Sequence, residues 1–158
     1  MKTTDKLSAG LLKVGRWRHE GKRIVFTNGC FDLLHPGHVD YLQRARALGE
    51  VLVLGLNDDD SIRRLKSLGR PINTLADRTV MLAALRSVDL VVPFCEDTPL
   101  NLITALKPDV LVKGGDYLAD DIVGANIVRR AGGEVIVMPF VDGHSSSGLI
   151  ARINAQQI

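Results

Sequence analysis

GCFDLLHPGH, running from Gly29 to His38, follows directly on the apolar residues Ile24 to Phe26. Proline is favoured at the first position of a helix, where its missing N–H would have had no partner. A strand entering this segment and a helix opening at Pro36 put His35 at the N-cap and His38 one turn in. Both imidazoles then flank the amides of Gly37 and His38, at the positive end of the helix dipole. Such a place suits phosphate, with two further donors that can carry charge.

The same strand-to-helix alternation extends along the chain. Short apolar runs span Ile24 to Asn28, Val51 to Asn57, Leu90 to Cys95, Asp109 to Gly114 and Glu134 to Phe140. They are β-branched and nearly continuous, as strands are when both sheet faces are covered. Amphipathic stretches lie between them at Val39 to Leu48, Asp77 to Ser87, Pro99 to Leu106 and Ile122 to Ala131, with another at Gly148 to Asn154. The pattern predicts an α/β fold with an open five-stranded parallel sheet and right-handed crossovers. Lys6 to His19 reads as a helix with Leu7, Leu11, Val14 and Trp17 on one face. It gives an N-terminal helical segment, 1–21, ahead of a single domain over 22–158. Its apolar face could meet the domain or a partner subunit.

Composition narrows the function classes. The chain has 158 residues, 46% hydrophobic and 24% charged, as in an ordinary globular domain. A net charge of +2 with scattered Lys and Arg argues against nucleic acid or membrane partners. No apolar stretch reaches spanning length and the polar N-terminus holds no signal-type core. Cys30 and Cys95 form no metal-type spacing and no disulfide framework, so a reducing cytoplasm is expected.

In a doubly wound sheet, ligands bind beyond the carboxyl ends of the strands. Four unusual segments follow strands: GCFDLLHPGH, NDDD (57–60), KGGDY (113–117) and VDGHSSSG (141–148). They are expected to meet on one edge. The chain has no G-x-G-x-x-G fingerprint, so a dinucleotide oxidoreductase is unsupported.

The segment His35-Pro36-Gly37-His38 resembles the H-x-G-H signature of the cytidylyltransferase-like nucleotidyltransferases. The likeness continues in LKSLGRPIN, ADR, LVKGGDY and HSSSGLI, from about Lys22 onward. Within that family the chain looks most like the heptose 1-phosphate adenylyltransferases, which make an ADP-heptose precursor of lipopolysaccharide. The resemblance implies a Rossmann-like nucleotidyltransferase domain. It also implies transfer of AMP from ATP to D-glycero-β-D-manno-heptose 1-phosphate, with release of pyrophosphate.

Residue roles follow from the resemblance. His35, His38, Lys66 and Arg78 are the implied catalytic set, bonding the triphosphate and substrate phosphate as charge builds. Nucleotide contacts fall to Asn28, Gly29, Cys30, Phe31, Gly37, Lys113, Gly114 and Gly115 and to Ser145, Ser146 and Ser147, with His35 and His38. Asp32, Lys66 and Asp116 are assigned to the sugar phosphate. Read from sequence alone, Lys66 and Arg78 are first of all solvated surface charges and the serines plain N-caps, while Asp32 fits a turn aspartate as well as a ligand. One serine is expected to cap and the others to bind.

The attacking phosphate is already ionised at neutral pH, so the reaction needs charge neutralisation and in-line positioning rather than a base. Mg²⁺ is expected with ATP, held mainly by phosphate oxygens and not by a protein cage. Family habit implies a homo-oligomer. Related bacterial proteins fuse this domain to a sugar kinase, so a separate kinase is expected to supply the acceptor. The rivals are a glycerol-3-phosphate-type cytidylyltransferase using CTP and a non-catalytic nucleotide-binding module.

Overall fold

A computed structural model describes residues 3–156 apart from 67 and 140, with side chains from residue 7 onward. Its strands are β1 (Ile24–Gly29), β2 (Val51–Asn57), β3 (Leu90–Phe94), β4 (Val110–Gly114) and β5 (Glu134–Met138). All pair in parallel, in the order β3-β2-β1-β4-β5. This is the expected five-stranded open sheet, and its order reverses between β1 and β4.

The helices are α1 (Thr3–His19), α2 (Pro36–Arg46), α3 (Asp59–Leu65), α4 (Leu75–Ala83), α5 (Leu100–Leu106), α6 (Ala125–Arg130) and α7 (Ser146–Ala155). A 3₁₀ turn at Ala119–Asp121 precedes α6. Alternate strand residues feed two cores. Ile24, Phe26, Val53 and Val92 pack beneath Val14 of α1, Leu102 and Ile103 of α5 and Val128 of α6. Val25, Leu52, Leu54 and Val112 pack against Tyr41 and Leu42 of α2 and Leu82 of α4. Covering on both faces is why these strands read as unbroken apolar runs.

The apolar face of α1 meets the chain's own sheet. Val14 is buried, with Leu7, Leu11 and Trp17 packed on the same core. Arg18 ties its end to α5 by donating to the Leu106 and Lys107 carbonyls at 2.8 and 2.7 Å.

Some boundaries move. The fourth strand starts at Val110 because Asp109 turns its carboxylate to accept from the Ile24 amide at 2.7 Å. The third ends at Phe94, one residue before Cys95. The fifth ends at Met138, and Phe140, expected as its end, lies outside the described residues. Ile122 to Ala131 is helical only from Ala125, because Gly124 takes a left-handed φ of 86° at the N-cap. α3 was not expected at all. Asp58 caps it by accepting from Ser61 N at 2.8 Å.

Candidate functional site

β1 and β4 pair only at Val25 with Val110 and Phe26 with Leu111. Past these residues the two strands part, and a cleft of about 750 Å³ opens at their carboxyl ends. The GCFDLLHPGH, KGGDY and HSSS segments all reach it. Its lining includes Asn28, Gly29, Cys30, Phe31, Asp32, His35, Gly37 and His38 from the first. Lys113, Gly114, Tyr117, His144 and Ser145 to Ser147 come from the other two, and Lys66 from the end of α3.

His35 is the N-cap of α2 in extended backbone, followed by Pro36. The His38 amide turns back to the His35 carbonyl at 2.9 Å. Pro36 has no N–H, so the Gly37 amide is the one the first turn leaves for a ligand. A Cβ on Gly37 would sit 3.0 Å from His144 Cβ and 3.1 Å from His35 Nδ1. Glycine here lets His35 and His144 close over the helix end.

The His35 and His38 rings stack with centroids 3.7 Å apart at 19°. His144 continues the stack, 6.2 Å from His35 at 17°. Phe31 backs His38 with ring centroids 5.1 Å apart. His35 Nδ1 and His38 Nδ1 are buried without a hydrogen-bond partner. Burial, then the neighbouring His35, pushes His38 down to about 4, with the Leu33 carbonyl opposing. Burial and His144 lower His35 as well. At neutral pH both rings are uncharged, so they are neutral donors.

A second helix N-terminus meets the first. Ser145 caps α7 by accepting from Gly148 N at 3.0 Å. Ser146 Oγ donates to the Leu33 carbonyl at 3.2 Å, which docks α7 on the loop before α2. Two helix dipoles therefore present their positive ends to one cleft. Lys113 adds a partly desolvated amine, its pKa lowered by burial and by Lys66, and Lys113 Nζ lies 5.7 Å from the Tyr117 ring centroid. Burial raises the Cys30 thiol, against the cations Lys66, Arg78 and Arg70, so it stays protonated.

Residues 26–152 match the cytidylyltransferase-like family. The chain belongs to that family. It is 58% identical over 146 residues to the bifunctional protein HldE of Halorhodospira halophila, covering 92% of this chain and 31% of that protein. It is 54% identical over 145 residues to the bifunctional protein HldE of Magnetococcus marinus, 92% and 30% of the two chains. The chain thus spans about 30% of the length of the curated relatives it matches. A lipopolysaccharide core biosynthesis protein from Thermoplasma volcanium has a similar structure. The TM-score is 0.61 at 25% identity, over 76% of this chain and 97% of that one. Pantothenate synthetase from Thermus thermophilus shares the fold at a TM-score of 0.51 and 18% identity, over 81% and 60% of the chains.

Within this cytidylyltransferase-like cleft, several sequence assignments need correction. Arg78 does not line it. The side chain is 0% exposed, and its guanidinium donates to the carbonyls of Asn73 (3.1 Å), Cys30 (2.7 Å) and Asn57 (2.8 Å) and to Asp59 Oδ1 (2.7 Å). It binds the floor together from below, because a fully desolvated guanidinium must place its N–H groups on acceptors. Asp32 reaches the lining, but both carboxylate oxygens are taken. It accepts from Arg70 Nε, from Ile72 N at 2.9 Å and from Asn73 N at 2.8 Å. Burial opposes its ionisation, yet these bonds outweigh it and hold the carboxyl below its ordinary value. Asp32 anchors the loop at 70–73 and has no oxygen left for a sugar. Gly115 is buried, with its amide donating to Met138 O at 2.9 Å, and Asp116 is exposed outside the lining. Gly29 lines the cleft, and its missing Cβ makes room for the Phe31 ring, which a Cβ there would meet at 2.8 Å. The carboxylates of NDDD are spent on capping α3 and pairing with Arg78 and Arg63.

The sequence reading missed other lining residues. Asp97, Thr98 and Pro99 follow β3, and Asp121 ends the 3₁₀ turn, with Ile122 and Val123 after it. The carboxyl-end rule applied to β3 as well would have found the first group. Tyr41, inside α2, gave no signal except its place among apolar residues. Among the described residues no three His, Cys, Asp or Glu side chains come together to hold a metal. No helix among them is long and apolar enough to cross a membrane.

Proposed function

We propose that this domain transfers AMP from ATP to D-glycero-β-D-manno-heptose 1-phosphate, giving ADP-heptose and pyrophosphate. The observation that carries this reading is the stacked His35–His38 pair, its buried Nδ1 atoms unpartnered, set between the N-termini of α2 and α7. Membership of the cytidylyltransferase-like family and the likeness to the bifunctional proteins HldE support the choice of reaction.

In this reading the triphosphate lies across the Gly37 amide, the α7 N-terminus and the histidines. ATP arrives as its magnesium complex, with the metal held by phosphate oxygens. An oxygen of the acceptor phosphate attacks the α-phosphorus, and the bond to the bridging oxygen of the β-phosphate breaks. No proton need move at neutral pH. His35 and His38 donate to oxygens on which charge grows, and their pKa values rise as that charge approaches. Lys66 and Lys113 neutralise the two phosphates and hold them in line. The acceptor must arrive phosphorylated, so a kinase acting on the sugar is the reaction that supplies it. The free thiols of Cys30 and Cys95 suit the reducing cytoplasm in which we place the enzyme. We further propose a homo-oligomer, which sedimentation would test.

The test is pyrophosphate release with heptose 1-phosphate and ATP, CTP, GTP or UTP in parallel. Release with ATP, lost in His38→Ala, supports the reading. Release with CTP alone would reassign the base and favour the glycerol-3-phosphate-type chemistry. Binding of ATP with no release from any acceptor tried would leave a nucleotide-binding module.

A further inference from the structure

The rings of the cleft stand in an ordered row. Gly29 ends β1, and the Phe31 ring lies against it, where a Gly29 Cβ would meet the ring at 2.8 Å. Phe31 backs His38 with centroids 5.1 Å apart, His38 stacks on His35 at 3.7 Å, and His35 faces His144 at 6.2 Å. The row therefore starts at the end of β1 and leads outward to the cap of α7. Two lysines flank its inner end from the strands on either side of β1. Lys113 is on β4, and Lys66 ends the helix that follows β2.

Neither the H-x-G-H motif nor core packing accounts for His144. It is exposed and lines the cleft. Among the described residues its ring makes no hydrogen bond or ion pair. A merely solvated loop histidine has no reason to lie parallel to a neighbour, yet this ring stands at 17° to His35. Gly37 permits the approach, since its missing Cβ would press on both His144 and His35. The helix behind His144 is lightly packed. No residue of α7 is buried, and Ser146 Oγ ties its first turn to the Leu33 carbonyl. A ligand shared by the ends of α2 and α7 would add to that hold.

In-line transfer gives the row a direction. The acceptor oxygen and the departing oxygen stand on opposite sides of the α-phosphorus. With the acceptor phosphate held by Lys66 and Lys113 at the inner end, the leaving group points outward, toward the α7 cap. We propose that His144 is a further catalytic residue, which donates to the departing pyrophosphate and not to the AMP half. The bond that breaks joins the α-phosphorus to the bridging oxygen. Its electron pair leaves with pyrophosphate, where the imidazole meets the added charge, and no proton need transfer. The assignment rests on the nucleotidyl transfer proposed above and gives a role to a residue outside the motif.

The test uses three variants of the full chain. His144→Phe keeps a ring to stack on His35 but has no N–H, His144→Gln keeps a donor but no ring, and His144→Ala keeps neither. His144 is exposed, so all three should melt with the parent. Calorimetric binding of ATP, AMP and inorganic pyrophosphate, with Mg²⁺ and no acceptor, comes first. His144→Ala and His144→Phe should each weaken ATP and pyrophosphate by about tenfold and AMP by less than about twofold, with His144→Gln within about threefold of the parent throughout. Equal losses for ATP and AMP would overturn the proposal, and so would a parent-like His144→Phe, whose ring would then only prop His35. Kinetics in reverse, from ADP-heptose and pyrophosphate, come second. His144→Phe should raise the KM for pyrophosphate about tenfold and leave that for ADP-heptose within about twofold. An unchanged KM for pyrophosphate would overturn the assignment. A parent that binds ATP more tightly than AMP but turns nothing over would sink the reaction reading alone, and the binding series would still decide His144. A parent that binds ATP no more tightly than AMP would overturn the proposal whatever its turnover.

Discussion

His35 and His38 stack 3.7 Å apart, and each keeps a buried Nδ1 with no partner. Orphaned buried nitrogens are costly, and an anion within hydrogen-bond reach of both rings would offset that cost. His38 is held down to about 4 and His35 is lowered too, so the two rings are uncharged at neutral pH. A bound triphosphate reverses the balance by favouring the charged rings. ATP binding near pH 6 should therefore take up protons, seen by calorimetry in buffers of different ionisation enthalpy. His38→Ala should remove much of the uptake. Binding with no buffer dependence would contradict the role given to the pair.

The same lowering has a signature in the unliganded protein. Between His38's folded value near 4 and the ordinary 6.5, the unfolded chain binds more protons than the folded one. The histidine contribution is complete above 6.5 and is lost as pH falls toward 4. Melting temperature should fall over that window, and less steeply in His38→Gln. Equal slopes in parent and variant would count against the burial of His38.

Arg78 and Lys66, both expected as catalytic cations, should behave oppositely. Removing the buried Arg78 guanidinium strands three carbonyls and Asp59, so Arg78→Ala should destabilise by about 3 kcal/mol. Lys66 is exposed at the end of α3, so Lys66→Ala should leave the melting temperature nearly unchanged. Its kcat/KM should drop by about a hundredfold. Denaturation and kinetics on the two variants check this, and a stable, inactive Arg78→Ala would restore a direct catalytic role to Arg78.

Asp32 should behave as a loop anchor. Asp32→Asn keeps the shape but loses the charge that accepts from Arg70, Ile72 and Asn73, at a cost of about 1–3 kcal/mol. Because its pKa is lowered in the fold, its contribution is present above the ordinary 3.8 and is lost as pH falls through the lowered value. Acid unfolding should be shallower in the variant. A stable Asp32→Asn protein with a raised acceptor KM alone would return Asp32 to the substrate.

Gly37→Ala probes the helix end directly. The added methyl would stand 3.0 Å from His144 Cβ and 3.1 Å from His35 Nδ1. Both must shift, so kcat should fall by about tenfold or more with little change in melting temperature. Parent-like turnover would mean that the His35–His144 geometry is unimportant.

The fold was legible because its signal is local. β2 spans Val51–Asn57 as read, and β1 is longer by one residue. His35 and Pro36 announced the α2 N-terminus, and Ser145 that of α7. α3 escaped notice because DDSIRRL is short and holds two apolar residues, although Asp58 caps it and Asp59 and Asp60 fill its first turn. What a side chain meets across the sheet was not legible. Nothing in ADR says that Arg78 will find Cys30 and Asn57, 48 and 21 residues away. Nor does Tyr41 in α2 announce that its hydroxyl will meet that of Thr27 on β1. Functional groups on loops beyond strand ends could be placed by topology, whereas buried polar networks depend on the assembled packing.

The central claim is that the α-phosphorus is attacked, and labelled ATP tests it most directly. With heptose 1-phosphate as acceptor, ATP labelled at the α-phosphate should pass its label to the sugar nucleotide. ATP labelled at the γ-phosphate should pass its label to pyrophosphate. Label from the γ-phosphate appearing on the sugar, or none leaving ATP from either position, would contradict the account.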